Sequence, residues 1–269
     1  MIVAPKVTII DLDNVLFDAV EFKKALFPKL ARFYQKQQKN ISSEAIEELY
    51  ESHIKSRGIL SFSEFALSLS RRFGLSQKDL LEQITSMELN NFLMKEAREF
   101  SSYLAEESDL LIVYTAGALR TQRQKIEKTD LKDTLYSPEY HHMDRLQRDG
   151  YRLIKEKLAQ ISSVTKPSPI VLVDTYKLGL EELISMISVV KPKLTLIDDK
   201  PEIIERGIKA AKEQCLDLLP IWMKYGRYNQ ERDKIEGAST IDSLVNSQGE
   251  VLRIRQETKI NYWPPRSRS

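Results

Sequence analysis

Apolar positions along this chain change period twice. Val7-Thr8-Ile9-Ile10 is a short, β-branched run that reads as a buried strand. After Leu16 the spacing turns helical and stays so to about Ser101. Phe22, Leu26, Leu30 and Phe33 fall on one face, and Ile46, Leu49, Tyr50 and Ile54 on another. Ser61-Phe-Ser-Glu64 has the form of a capping box ahead of Phe65, Leu69 and Phe73. Ser76-Gln-Lys-Asp79 opens a further helix with Leu80, Ile84 and Met87. The spacing predicts roughly four or five helices in one compact insert. From Leu110 onward, apolar runs at 110–115, 170–174, 194–198 and 219–223 predict strands. They are separated by stretches with helical spacing, Tyr151, Ile154, Leu158 and Ile161 in one and Leu180, Leu183, Ile184, Ile187 and Val190 in another.

Strands alternating with helices imply an α/β fold, a Rossmann-like and mostly parallel sheet core with both faces covered, interrupted by an all-helical domain. The expected division is a core of residues 1–17 and 102–250, a helical insert of 18–101 and a tail of 251–269. The final Tyr262-Trp263-Pro264-Pro265-Arg266-Ser267-Arg268-Ser269 has no periodicity. The third core strand is open between 135–137 and 170–174.

Composition narrows the function classes. The 269 residues suffice for two modest domains, and 42% hydrophobic with 30% charged residues argues against global disorder. The 41 basic and 39 acidic residues are interspersed and leave a net charge of +2, so no nucleic-acid partner is expected. No apolar run is long enough for a membrane span and no secretory pattern opens the chain, which predicts a cytoplasmic protein without a membrane partner. Monomer and homodimer stay open. The single cysteine, Cys215, cannot form an intrachain disulfide and, among Leu216, Leu218 and Leu219, reads as a buried apolar thiol.

Candidate chemistry gathers at strand ends. Asp11-Leu-Asp13-Asn14-Val15-Leu16 follows the first strand, where Asp11 and Asp13 can project together. Adjacent carboxylates repel unless a cation or a proton holds them, which points to a divalent metal or to acid/base work, although strands also end in plain Asp/Asn turns. Asp198-Asp199 repeats the arrangement at a distant strand end, ahead of Pro201 at a helix start. Ligands of parallel sheets bind beyond the carboxyl ends of the strands, and there the two acidic pairs can meet. Thr115-Ala116-Gly117 offers a hydroxyl and free amides suited to a phosphate oxygen. Lys177 is the preferred fixed positive charge, with Lys166, Lys191, Lys193 and Lys200 as rivals. His141-His142 lacks companion ligands and reads as a polar loop.

In this order the motifs resemble those of the haloacid dehalogenase-like superfamily: Asp11-x-Asp13 after a strand, Thr115 ending a second, Lys177 before a helix, and Asp198-Asp199 ending a later strand. The resemblance spans about residues 5–245, and the helical insert looks like that family's cap. It implies a Mg2+-dependent phosphatase acting on a small phosphorylated metabolite. Asp11 would be the nucleophile and Asp13 the acid/base. Thr115, Ala116 and Lys177 would hold the phosphoryl group, and Asp11, Asp13 through its main chain, Asp198 and Asp199 would hold the metal. An aspartate at position 13 favours phosphoryl transfer over dehalogenation. Asn14-Val15 departs from the family's more usual residues there. The alternatives are a phosphotransferase or mutase, and a catalytically silent binding protein. Arg57, Arg71 and Arg72 of the insert are candidates to reach substrate.

Overall fold

A computed structural model describes residues 4–57, 61–137, 140–142, 148–161, 167, 169–174, 177, 179–224, 233–242 and 251. The tail from 252 and Lys166 lie outside the described residues. In chain order the elements are β1 (Lys6–Ile10), α1 (Ala19–Lys36), α2 (Ser43–Arg57), α3 (Phe62–Phe73), α4 (Gln77–Thr85), α5 (Ala97–Glu107), β2 (Leu110–Thr115), α6 (Leu119–Glu127), α7 (Lys132–Leu135) and β3 (Tyr140–His142). There follow α8 (Arg148–Gln160), β4 (Ile170–Val173), α9 (Leu180–Ile187), β5 (Lys193–Asp198), α10 (Pro201–Glu213), β6 (Asp217–Met223) and β7 (Ser239–Ile241).

Among the described residues, seven strands form one sheet in the order β3-β4-β2-β1-β5-β6-β7, and every adjacent pair is parallel. The expected α/β architecture is therefore present. β1 sits between β2 and β5, with Ile10 beside Val113 on one flank and Ile197 on the other. The strand order reverses at β1, so its carboxyl end opens the crevice in which ligands of such sheets bind. The strand that pairs with β2 is Ile170–Val173, whereas Leu135 ends the short helix α7.

Alternation along the strands sends side chains to two faces. Val7, Ile9, Ile112, Leu172 and Leu196 pack with Ile154 of α8, Leu183 and Ile187 of α9 and Ile204 of α10. Ile10, Val113, Val173 and Ile197 face the other way, against Phe100 and Leu104 of α5 and Ile126 of α6. That cluster continues unbroken into the insert through Phe22, Leu30, Phe65, Leu69 and Ile84.

The insert holds α1 to α4 with a 3-10 turn at Leu89–Phe92. Its capping signals form as read: the Ser61 hydroxyl accepts from the Glu64 amide while Glu64 Oε2 accepts from the Ser61 amide, and Ser76 caps α4. α5 runs unbroken across residues 101 and 102 and packs on β2 and α7. The chain enters and leaves the insert side by side. Asp18 N donates to Phe92 O at 2.7 Å, Met94 N donates to Leu16 O at 2.9 Å, and Phe17 and Leu93 form an antiparallel bridge.

Two expectations are corrected. Cys215 is exposed with φ at 52°, because it is the left-handed residue just past the end of α10 and its backbone turns the thiol outward while neighbouring Leu216 is half-buried. His141-His142 is strand, not loop: it forms β3, with His141 beside Leu172 and His142 beside Val173 of β4.

Candidate active site

Local backbone chemistry sets the first acidic pair. β1 stops at Ile10, and Asp11 N still donates to Ile197 O at 2.9 Å, which ties Asp11 to the end of β5. The chain then folds back. Leu16 N and Phe17 N donate to Leu12 O, and Asn14, at φ 58°, turns through the left-handed region that asparagine tolerates better than most residues. The turn separates the two aspartates. Asp11 is 3% exposed and joins a buried cluster, while the Asp13 side chain keeps about a quarter of its surface, at 25%.

The buried cluster is acidic with one cation. Asp11, Asp198 and Asp199 each place a carboxylate oxygen within 4.8 Å of the others. The Lys177 ammonium sits among them, 2.6 Å from Asp11 Oδ2 and in contact with Asp198 Oδ2, and is itself fully buried. Asp11 Oδ1 accepts from Leu12 N at 2.7 Å, Asp198 Oδ1 from Lys200 N at 2.9 Å, and Asp199 Oδ2 from Asn14 Nδ2 at 3.2 Å. Asp199 Oδ1 is buried without a hydrogen-bond partner among the described residues. Trp222 Nε1 holds the Asp199 carbonyl at 3.0 Å.

Burial, then the neighbouring charges, governs ionisation here. Desolvation pushes the Asp11 carboxyl up against the pull of Lys177, and burial with the charges of Asp198 and Asp11 pushes Asp199 well up. For Lys177, burial works to lower the ammonium's pKa, but the charges and hydrogen bonds of Asp11 and Asp198 outweigh it and hold it above the usual range. Among the described residues, three carboxylates surround one buried ammonium, and the charge of Lys200 also acts on Asp11 and Asp199. Together with the unpartnered Asp199 oxygen, that donor set suits a hard divalent cation such as Mg2+.

Lys177 reaches the cluster through an unusual backbone. It stands at φ 55°, just beyond β4, in a turn fastened by Asp174, whose Oδ2 accepts from Gly179 N at 2.7 Å and from the Tyr114 hydroxyl at 2.6 Å. Burial and this carboxylate raise the Tyr114 pKa, so the phenol stays a donor.

Above the cluster lies a cavity of 270 Å3 between the sheet end and the insert. Asp11 lines it and so belongs to both cavity and cluster, whereas Thr115, Lys177, Asp198 and Asp199 are buried and do not line it. Asp13, Asn14, Ala116, Gly117, Lys200 and helix α6 complete the polar side. Thr115 stands at the end of β2, its hydroxyl buried without a partner among the described residues. Gly117 has φ 138°, where a side chain is strained, and a Cβ there would lie 2.5 Å from Gln122 Nε2 and displace it.

Two residues at the site escaped sequence reading. Lys125 Nζ binds Asp13 Oδ1 at 2.5 Å, and Gln122 Nε2 donates to Asp13 Oδ2 at 3.0 Å and to Ala116 O at 2.7 Å. Of the lysines weighed against Lys177, Lys200 reaches the cavity wall. Arg71 and Arg72 are exposed in the last turn of α3 and do not line the cavity, to which α3 contributes Phe62 and Phe65 from its first turn. The side chain of Arg57 lies outside the described residues.

No family model and no curated protein matches the chain. Solved structures do. The chain is similar to a haloacid dehalogenase-like hydrolase from Burkholderia xenovorans LB400, with 14% identity, a TM-score of 0.62, and 94% of this chain and 99% of that one covered. It is also similar to a haloacid dehalogenase-like family hydrolase from Xanthomonas campestris, with 10% identity, a TM-score of 0.51, and 96% and 99% covered. The fold is that of the haloacid dehalogenase-like hydrolases. Among the described residues, no helix is long and apolar enough to cross a membrane.

Proposed function

We propose that this chain, with its haloacid dehalogenase-like fold, is a magnesium-dependent phosphatase that hydrolyses a small phosphorylated metabolite in the cytoplasm through an aspartyl-phosphate. One observation carries the reading: Asp11 is shared between a cavity that Asp13 also lines and a buried cluster of two further carboxylates and a lysine.

Both oxygens of Asp11 are oriented before substrate arrives, by Leu12 N and Lys177 Nζ, and each retains a lone pair for attack. Attack on phosphorus forms the Asp11–phosphorus bond and breaks the bond to the ester oxygen, which takes a proton from Asp13. Asp13 then accepts a proton from a water whose oxygen bonds to phosphorus as the Asp11–phosphorus bond breaks, which releases phosphate and restores Asp11. Lys177 and the hydroxyl of Thr115 stand at neighbouring strand ends, suited to offset charge on the transferring group, and the Ala116 turn offers backbone donors at the cavity wall. Asp11, Asp198 and Asp199 would hold Mg2+ with the Asp13 carbonyl. When bound, the ion would neutralise developing charge on the phosphoryl oxygens.

The cavity volume supports a small substrate, since 270 Å3 lies below the range of about 300–1,000 Å3 usual for ligand pockets. Asp11→Asn should abolish Mg2+-dependent phosphate release from an aryl phosphate while leaving the circular dichroism spectrum unchanged. Turnover persisting in that variant would refute the covalent route.

A further inference from the structure

The cavity has two chemically opposed sides. The sheet end supplies carboxylates, lysines and backbone amides, whereas the insert supplies Phe22, Leu26, Tyr50, Ile54, Phe62 and Phe65, from α1, α2 and α3. These rings are fixed by one another. Phe22 and Phe62 lie 5.7 Å apart between centroids, and Tyr50 meets Phe65 edge-on at 5.3 Å. Among the described residues, the polar groups on this side are the Lys23 ammonium and the hydroxyls of Tyr50 and Ser61. The Ser61 hydroxyl is engaged with both the amide and the carboxylate of Glu64, and the Lys23 ammonium rests 5.4 Å from the Tyr50 ring centroid.

A phosphate ester seated with its phosphorus at Asp11 must project its leaving group toward this aromatic side. A sugar or polyol there would surrender water from several hydroxyls with few groups to replace it, whereas a ring or branched hydrocarbon would bury its surface against the rings. Resting on the phosphatase reading above, we infer that the leaving group of the preferred substrate is a compact, apolar, ring-bearing alcohol rather than a polyol. The small volume limits it to about one ring beyond the phosphoryl group.

The test is steady-state hydrolysis by the full chain with Mg2+. Benzyl phosphate and ribose 5-phosphate serve as substrates of comparable alcohol leaving-group chemistry, and acetyl phosphate as a probe too small to reach the aromatic side. The wild type should show a kcat/KM for benzyl phosphate about tenfold or more above that for ribose 5-phosphate. Ile54→Ser and, separately, Phe62→Ser should pull that ratio below about threefold. Both positions are only half-buried, and a ratio taken on one preparation does not depend on how much of the variant is folded. Turnover of acetyl phosphate with ribose 5-phosphate equal to or better than benzyl phosphate would overturn the substrate class and leave the phosphatase reading standing. A wild-type preference that survives in both variants would also overturn it, because the aromatic side would not be its source. Failure to turn over any of the three, acetyl phosphate included, would remove the phosphatase reading and this inference with it.

Discussion

Asp13 is the residue on which hydrolysis would turn, and Lys125 and Gln122 decide where it points. They lie one helical turn apart on α6 and grip separate oxygens of the same carboxylate, while Lys125 also rests 5.1 Å from the Phe17 ring centroid. Lys125→Met should lower kcat by about tenfold or more with KM little changed, since it removes the group that orients the acid/base carboxylate; Lys125→Arg should recover part of the loss. A rise confined to KM in steady-state assays would instead make Lys125 a substrate anchor. The two acidic pairs stand out in the sequence because Asp11 and Asp198 close hydrophobic runs, where a charge is conspicuous, and the structure brings Asp11, Asp198 and Asp199 together. Gln122 and Lys125 do not stand out. Leu119 and Ile126 are the strongly apolar residues of α6, too few to mark which face turns inward, and the inward face is itself polar, with Thr121, Gln122 and Lys125 buried. Cys215 misled for the opposite reason: leucines nearby in sequence point away from it once the backbone turns left-handed.

At the scale of elements, α10 rests directly on β5. Gly207 faces Leu196, and a Cβ at that position would come within 2.2 Å of Leu196 Cδ2. Gly207→Ala should therefore destabilise the protein by about 1–3 kcal/mol through overpacking, measured by chemical denaturation, although alanine is the better helix former. α10 is also clipped to α9 by Arg206 and Glu181 at 2.5 Å. The bond to Arg206 depresses the Glu181 carboxyl below its ordinary 4.5. The folded pKa lies below the unfolded one, so the stabilisation is present above the unfolded value and is lost as pH falls through the folded one. The melting-temperature difference between wild type and Glu181→Gln should accordingly be seen at about pH 7 and fade toward about pH 3. Long helices of the insert were readable because their apolar spacing repeats over several turns and their caps are explicit. β3 and β7, three residues each, were not: a run that short cannot show alternation, and β3 carries two histidines.

At the scale of the whole molecule, one ammonium holds together three strand ends distant in sequence. Lys177 follows β4, Asp11 follows β1 and Asp198 ends β5, so Lys177→Met leaves adjacent carboxylates buried without their counter-charge. That loss should cost about 3–5 kcal/mol in chemical denaturation. Mg2+ should stabilise the wild type: at a hundredfold excess over its dissociation constant the gain is about 2.7 kcal/mol, worth roughly 5–10 °C in melting temperature for a chain of this size. EDTA should reverse it, and an unchanged melting temperature with and without Mg2+ would argue against the cluster as its seat. The paired passage of the chain at Leu16–Asp18 and Phe92–Met94 has a mechanical consequence of its own. Outgoing and returning peptides are laced by backbone hydrogen bonds, so neither can slide or pivot without its companion. Any swing of the aromatic ceiling over Asp11 is thereby restricted to flexing across that double thread, and a peptide bond cut in one of the two would still leave the ceiling moored by the other.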